Sequence, residues 1–307
     1  MSVAIETTAL SDHIGVEVHG VESGSFGDPA LAETLSALLG RHHLLLFRVR
    51  DLPVADQIAI MGLLGEVVDE GGNGLRHVFV SNAREDGVLT LGKRLVFHSD
   101  NVFTPEPLNV VSLYGLRVVD DTAPTRFANT VRACSLVADS MARELAGARA
   151  LNLSGFAGGW YRYRDAEVEP HHPRAVHPVI THDTWAGDAA LMVSEQQTDR
   201  IMDWPADASE DTLQALFALL YQPDNVYEHH WREGDLVIWD NLALQHGRPE
   251  LIREGERTLR RVSAVRSNST DQHAWTTVSQ AAERSSAAPP QRIGGFAAET
   301  ESGAACG

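Results

Sequence analysis

The 307-residue sequence predicts a mostly β protein with flanking helices. Short segments rich in Val, Leu, Phe and Tyr recur along the chain and are separated by turn residues, which is typical of many short strands. A smaller number of stretches carry apolar residues at helical spacing. With 43% hydrophobic and 22% charged residues, the composition is that of a globular protein with a substantial core.

The first part of the chain indicates strands and two helices. Apolar and polar residues alternate in HIGVEVHGV, which predicts a strand pair. Asp28 and Pro29 then begin a helix, since Asp caps free N–H groups and Pro is tolerated at the first helical position. The apolar run 43–48 fits a buried strand, and a second helix is expected at about 55–64.

From Leu75 onward the pattern becomes strand-like, with two helical interruptions. Helices are expected at about 134–146 and 207–221, the second with Asp207 and Glu210 spaced as a capping box. The predicted strands are HVFVSN, LVFHSDNVF, NVVSLYGLRVV, LVIWDN and RTLRRVSAV. Residues 279–307 are rich in Ala, Ser, Gly and Pro, so we expect a disordered tail after a single domain at 1–278.

Charge and cysteine content exclude several classes of function. The formal net charge of −17 argues against a protein that binds nucleic acid or an anionic membrane, because both need a basic surface. The sequence contains neither an apolar run long enough for a membrane span nor a basic, then apolar, leader, so we expect a cytoplasmic protein. Two cysteines, Cys134 and Cys306, do not make a disulfide framework, so any metal must be held by His and carboxylate.

The segment LVFHSDNVF places His98 and Asp100 two residues apart, on one face of a predicted strand. His246, where an apolar strand ends in a polar turn, is the best candidate for a third ligand. Two His and one carboxylate leave three open positions, which is the arrangement of non-heme Fe(II) oxygenases. Alternatively, the pair is a surface salt bridge and His246 is an ordinary core histidine.

Alternation in RTLRRVSAV places Arg257 and Arg261 on one face of a strand and Arg260 on the other. Guanidinium groups suit bidentate recognition of carboxylates, so the first two could line one pocket. Alternatively, the segment is a solvated basic edge strand, an interpretation that we adopt for Arg260.

With these motifs in order, the chain from about Gly15 to Arg266 resembles the taurine dioxygenase/TfdA-like family of Fe(II)- and 2-oxoglutarate-dependent oxygenases. The resemblance is carried by FHSDNVFTPEP, APTRFA, AVHPVITHD, GDLVIWDNLALQH and RTLRRV. It implies a double-stranded β-helix (jelly-roll, cupin-like) core with the metal at its open end. By analogy alone, it also implies a homo-oligomer.

The resemblance assigns a role to each matching residue. It makes three residues the catalytic iron ligands: His98, Asp100 and His246. Thr125 matches a threonine that bonds a carboxylate of 2-oxoglutarate, and Arg257 matches the arginine that pairs with its distal carboxylate. Arg261 matches a second arginine, which serves an anionic substrate in some members and 2-oxoglutarate in others.

The implied activity uses Fe(II), 2-oxoglutarate and O2 to oxidise an unactivated C–H bond of a small molecule, releasing succinate and CO2. Hydroxylation is the default outcome, and desaturation or ring formation stays open. Related halogenases have a small residue in place of Asp100, so halogenation is disfavoured. The segment 152–174 occupies the variable insert over the active site, and its aromatic and basic residues favour an anionic, amino-acid-like or natural-product substrate. An ordinary aromatic-rich loop packed on the barrel is the alternative.

Two further features of the sequence bear on the site. Asp240 and Asn241 precede His246 and either orient a histidine ligand or stabilise the turn. The loop 66–76 has no counterpart of the family's taurine-binding histidine, so taurine is a doubtful substrate. A zinc-dependent hydrolase and a non-catalytic metal-binding barrel protein remain as alternatives from other classes.

Overall fold

The computed structural model describes residues 5–72, 74–87, 93–119, 123–154, 161–250 and 255–266. The expected disordered tail at 279–307 lies outside these residues. Within them, no helix has the length and apolar character needed to cross a membrane.

Strands outnumber helices in the described part of the chain. The helices are α1 (Ala32–His42), α2 (Val54–Gly62), α3 (Thr130–Ser135), α4 (Asp139–Glu144) and α5 (Ala206–Leu220). The strands are β1 (Glu6–Ala9), β2 (Val16–His19), β3 (Leu44–Arg48), β4 (Glu66–Val67), β5 (Val78–Ser81), β6 (Leu95–His98), β7 (Val110–Val118), β8 (Thr125–Asn129), β9 (Arg149–Leu153), β10 (Arg174–Pro178), β11 (Ile180–Thr181), β12 (Ala190–Leu191), β13 (Thr198–Ile201), β14 (Val226–His229), β15 (Asp235–Asp240), β16 (Leu244–Arg248) and β17 (Arg257–Val265).

Two sheets form the core of the fold. The larger has the order β1-β2-β3-β15-β7-β17-β4, with β5 also paired to β17. The smaller has the order β14-β8-β16-β6. Strands that are distant in sequence are neighbours in both sheets, as expected for a jelly roll. The predicted double-stranded β-helix with flanking helices is confirmed.

An apolar layer fills the space between the two sheets. It includes Val237 and Trp239 from β15, Leu259 from β17, and Phe127 and Leu244 from the smaller sheet, all fully buried. A second apolar cluster packs α1 and α2 against the outer face of the larger sheet. The open end of this layered barrel carries the polar residues described below.

Two helix predictions need correction. The helix expected at 134–146 is two short helices, α3 and α4, separated by Leu136–Ala138, and α3 begins earlier, where the Asn129 side chain accepts from the backbone N–H of Arg132. The capping box at the start of α5 is absent because Pro205 is the N-cap. Glu210 instead binds two arginines.

The prediction that Arg260 lies on a solvated edge strand is also wrong. β17 pairs with β7 on one side and with β5 and β4 on the other, so it is internal to the sheet. Arg260 is buried, donating to Gln57 Oε1 at 2.7 Å and to the Leu52 carbonyl at 2.8 Å. Its guanidinium carbon lies 5.1 Å from the centre of the Tyr114 ring.

Candidate active site

Pairing between β6 and β16 brings two histidines together at the open end of the barrel. His98 ends β6 and lies directly across from His246 on β16, with the ring centroids 4.3 Å apart. The next residue, Gly247, has no room for a side chain, because a Cβ there would lie 2.9 Å from the Leu95 carbonyl oxygen. This glycine therefore allows the close approach of the two strands that carry the histidines.

Asp100 reaches the same place from a turn rather than from a strand. β6 ends at His98, so the prediction that His98 and Asp100 share a strand face is wrong. Asn241 fixes the turn: its Oδ1 accepts from the Asp100 N–H at 2.8 Å, and its Nδ2 donates to the carbonyls of Asp100 and Leu108, each at 2.9 Å. One buried amide thus holds the backbone of Asp100 on both sides.

The three side chains form a compact set of donor atoms. One ligand atom from each of His98, Asp100 and His246 lies within 4.8 Å of the others, and all three residues are buried. Nε2 of His98 is 3.7 Å from Asp100 Oδ1, and Nε2 of His246 is 3.7 Å from Asp100 Oδ2. Two imidazoles and one carboxylate on one side of a metal are the donor set of non-heme Fe(II) sites.

Charge in this cluster favours metal binding. Burial is the main cause that lowers the pKa of His98, and burial followed by the proximity of His98 lowers the pKa of His246 to about 3. Burial alone would raise the pKa of Asp100, but Arg261 and the two histidines lower it below its ordinary value. Neutral imidazoles and an ionised carboxylate are the protonation states that a metal ion requires.

The two histidines are oriented in different ways. Nδ1 of His98 donates to the Val96 carbonyl at 2.9 Å, so Nε2 keeps its lone pair for a metal. Nδ1 of His246 is buried and has no hydrogen-bond partner among the described residues. Asp240 does not orient it, since its carboxylate accepts from the backbone N–H groups of Leu242 and Trp185. Between the two expected roles of Asp240, the structure therefore favours stabilisation of the turn.

A second polar pocket contains Thr125 and Arg257. Arg257 is 2% exposed, and its Nη2 donates to Thr125 Oγ1 at 3.1 Å. The same hydroxyl accepts from Trp231 Nε1 at 2.9 Å. Nε of Arg257 has no hydrogen-bond partner among the described residues, and burial lowers its pKa to about 9, so the guanidinium stays charged at neutral pH. A buried cation with an unused N–H group is suited to bind an anion.

Arg261 lies beside the candidate metal ligands and has two carboxylate partners. Its Nη1 is 3.0 Å from Asp100 Oδ2. Its Nε donates to Glu70 Oε1 at 3.1 Å, and its Nη2 is 3.0 Å from Glu70 Oε2. Burial alone would lower the pKa of Arg261, but the two carboxylates raise it above its ordinary value. In this structure Arg261 therefore positions the outer oxygen of Asp100.

Two arginines of the expected substrate lid have structural partners. Arg162 donates to the carbonyls of Thr198 and Asp199 and to Glu210, and Arg164 also binds Glu210. Tyr163 is buried in a small apolar cluster with Leu151. Residues 155–160 of the lid lie outside the described part of the chain.

The structure thus brings together His98, Asp100 and His246, with Arg261 against Asp100, and it pairs Thr125 with Arg257 in a second polar pocket. Sequence reasoning missed Glu70 as the partner of Arg261, since it considered the loop 66–76 only for the absence of a taurine-binding histidine. It also left open the role of Asn241, which holds Asp100. Three acidic residues, Glu66, Asp69 and Glu70, lie in that loop, so no signal in the sequence singled out Glu70.

The chain is similar to known proteins over most of its length. A profile of the family described as taurine catabolism dioxygenase TauD, TfdA family matches residues 6–263. Pentalenolactone F synthase of Streptomyces avermitilis is 26% identical over 297 residues, covering 86% of this chain and 95% of that protein. (S)-phenoxypropionate/alpha-ketoglutarate-dioxygenase of Delftia acidovorans is 24% identical over 273 residues, covering 80% of this chain and 90% of that protein. The crystal structure of AAD-2 in complex with Mn(II) and N-oxalylglycine has a TM-score of 0.73 at 22% identity, covering 87% of this chain and 98% of that one.

Proposed function

Since the chain belongs to the taurine catabolism dioxygenase TauD, TfdA family, we propose that it hydroxylates a C–H bond of a small molecule, with iron bound by His98, Asp100 and His246. Its class is that of an Fe(II)- and 2-oxoglutarate-dependent dioxygenase, which consumes O2. The substrate and the position of oxidation are the open part of the proposal.

The observation that carries the proposal is the compact donor set at the barrel mouth. Three ligand atoms within 4.8 Å, two neutral imidazoles and an ionised carboxylate fit a divalent metal and leave coordination positions for other ligands. O2 is the oxidant of the reaction; bound iron would activate it, and oxidative decarboxylation of 2-oxoglutarate would supply two of the four electrons that reduce it. The protein supplies ligand geometry and a buried environment.

Binding of 2-oxoglutarate is assigned to the Thr125 and Arg257 pocket. The buried guanidinium of Arg257 would pair with the distal carboxylate of this dianion, and the Thr125 hydroxyl would bond a carboxylate oxygen. A zinc hydrolase has no need of a buried cation suited to bind an anion, so the Arg257 pocket favours the dioxygenase. Arg261 contacts Asp100 directly, so its guanidinium lies beside the proposed metal ligands.

The first experiment is an anaerobic titration of the metal-free protein with Fe(II) and then 2-oxoglutarate. We expect the weak visible charge-transfer band of the chelate to appear near one equivalent, followed by succinate release when air is admitted. Asp100→Ala should lose both signals because it removes one of three ligands. His182→Ala, which changes an exposed histidine, should retain both.

Three outcomes would contradict the proposal. Tight zinc binding with no chelate band would favour the hydrolase, in which the metal polarises water. Failure to bind any divalent metal would favour the non-catalytic barrel protein. Substantial succinate release by the Asp100→Ala variant would also overturn the assignment of the ligands.

The proposal also covers the binding partners, the cellular location and the oligomeric state of the enzyme. The net charge of −17 supports a protein that binds neither nucleic acid nor an anionic membrane surface. The expected cytoplasmic location and homo-oligomeric state belong to the same proposal. Cell fractionation and light scattering of the purified protein test these two points.

A further inference from the structure

The loop after β4 places a carboxylate against the arginine beside the metal ligands. Glu70 and Arg261 contact each other through two pairs of atoms, Nε with Oε1 at 3.1 Å and Nη2 with Oε2 at 3.0 Å. Both side chains are largely buried, with 12% and 14% of their surface exposed. This parallel, two-contact geometry is the strong form of an arginine–carboxylate interaction.

We propose that Glu70 is a specificity-determining residue, which neutralises Arg261 and selects a substrate whose contacting group is polar but uncharged. Suitable groups are a hydroxyl, an ester, a lactone or an amide. The inference rests on the proposed function, because it concerns the substrate of the same metal site. It replaces the anionic substrate expected from the sequence.

The partners of Arg261 carry this step. Its third nitrogen, Nη1, lies 3.0 Å from Asp100 Oδ2, so all three guanidinium nitrogens face a carboxylate oxygen. An anionic group that approached Arg261 would either be repelled by the negative charge of Glu70 or have to displace the Glu70 side chain from Arg261. Displacement would leave a buried carboxylate without its partner, which is costly. An uncharged polar group is neither repelled by Glu70 nor required to displace it. Such a group can hydrogen-bond to the N–H groups of Arg261 and the oxygen atoms of Glu70 that the ion pair does not use.

The arginines of the lid do not replace the neutralised charge. Arg162 contacts Glu210 at 2.7 Å and donates to two backbone carbonyls. Arg164 contacts the same carboxylate at 3.1 Å. Both guanidinium groups therefore serve to attach the segment after residue 160 to α5, and neither is presented to a substrate as a free cation.

The test compares the wild-type protein with Glu70→Gln, which keeps the shape of the side chain and removes its charge. Both proteins are loaded with Fe(II) and 2-oxoglutarate without oxygen, and the chelate band is titrated with pairs of small carboxylic acids and their primary amides. We expect the wild type to bind the amide of a pair at least about tenfold more tightly than the acid. Glu70→Gln should lower that ratio by about tenfold or more.

A second probe, inorganic sulfate, gives a result that does not depend on which carboxylic acids and amides are chosen. Inorganic sulfate, followed by the same band, should bind to Glu70→Gln about tenfold or more tightly than to the wild type, since the variant exposes the charge of Arg261. Glu66→Gln removes an exposed carboxylate from the same region and should behave as the wild type. A chelate band of normal intensity shows that each variant is folded and loaded.

Each outcome decides the proposal. A wild type that prefers the acids, or equal sulfate affinity in the wild type and Glu70→Gln, would overturn it. If no pair of probes shifts the band, the sulfate comparison alone decides. A wild type without any chelate band would instead refute the function proposed above, so the two failures are distinguishable.

Discussion

Two arginines at the barrel mouth differ in what surrounds their charge. Arg261 lies between two carboxylates, whereas Arg257 is 2% exposed, donates to the Thr125 hydroxyl and has no carboxylate partner among the described residues. A buried guanidinium without a counter-ion costs folding free energy that binding of an anion recovers. This contrast supports the proposed binding of the dicarboxylate co-substrate by Arg257.

Replacing Arg257 with Gln should mainly raise the requirement for 2-oxoglutarate. One charge-assisted pair contributes roughly 1.5–3 kcal/mol, so we expect the KM for 2-oxoglutarate to rise about tenfold to hundredfold. Succinate release at saturating iron measures the change. Arg117→Gln, at an exposed position of the adjacent strand β7, is the matched control. An unchanged KM in the Arg257 variant would move the role to Arg261.

Asn241→Leu should weaken the metal site as well as the fold. The change leaves two buried carbonyls and the Asp100 N–H without their partner, and each buried unpaired group costs about 1–3 kcal/mol. We expect lower stability in urea and lower affinity for Mn(II), followed by electron paramagnetic resonance.

Asn225→Leu is the control for that variant. Asn225 is also buried and donates to the carbonyls of Asn129 and Leu220, but it does not touch the metal ligands. It should lose stability while the folded protein keeps its Mn(II) affinity. Equal loss of Mn(II) affinity in both variants would show that Asn241 has no specific role at Asp100.

At the scale of secondary structure, pairing of β6 with β16 determines the separation of the two histidines. A methyl group at position 247 would lie 2.9 Å from the Leu95 carbonyl oxygen and 3.3 Å from the backbone nitrogen of Phe97. Gly247→Ala should therefore separate the strands and destabilise the protein by about 1–3 kcal/mol. Because His98 and His246 face each other across this pair, we expect Mn(II) affinity to fall as well.

Gly62→Ala is the control for strand separation. Gly62 ends α2, and no atom lies within 4 Å of a Cβ placed there, so the change should leave metal affinity intact and not destabilise the protein. Mn(II) titration and urea unfolding of both variants provide the comparison. Wild-type metal affinity in Gly247→Ala would show that the site tolerates movement of β16.

The sequence predicted the bounds of some strands and helices but not which strands pair in the sheets. Alternation predicted β17 at its observed bounds, including the shared face of Arg257 and Arg261. The same pattern did not reveal that β17 is internal, because its partners β7, β5 and β4 are distant in sequence. Arg260 was therefore assigned to solvent although it is buried against Tyr114. Similarly, helical spacing across 134–146 did not show the break between α3 and α4.

The candidate site was predicted to the extent that it depends on residue types at fixed spacing. His98, Asp100 and His246 were selected from short motifs, and the structure brings them together. The contact between Glu70 and Arg261 joins a loop to a strand that is almost two hundred residues away, so no local pattern could have indicated it. The role of Asn241 likewise depends on the turn that follows β6.

For the whole molecule, buried histidines predict loss of stability in mild acid. Burial lowers the pKa of five buried histidines: His43, His98, His177, His229 and His246. The unfolded chain takes up protons near the ordinary pKa of 6.5, whereas these groups in the folded chain take them up at lower pH. Stability is therefore greatest above pH 6.5 and falls as the pH decreases through it. Asp240, whose pKa burial raises to about 6, opposes this trend with one group.

Urea unfolding of the metal-free protein tests this expectation. The midpoint should be lower at about pH 5.5 than at about pH 7.5, because the unfolded state binds more protons in that interval. His177→Gln, which removes one of the five groups outside the metal site, should reduce the difference. A midpoint that stays constant or rises on acidification would contradict the assignment of neutral buried histidines.

The two histidines differ in how firmly their rings are held, and this difference predicts the order in which the enzyme binds and releases iron. His98 is fixed by the Val96 carbonyl and Asp100 by Asn241, so these two ligands are in place before a metal arrives. His246 is held by ring contacts with Trp239 and His98, and its Nδ1 has no partner among the described residues. Loading should therefore start on the first pair and end with His246, and chelators should remove iron along the reverse path.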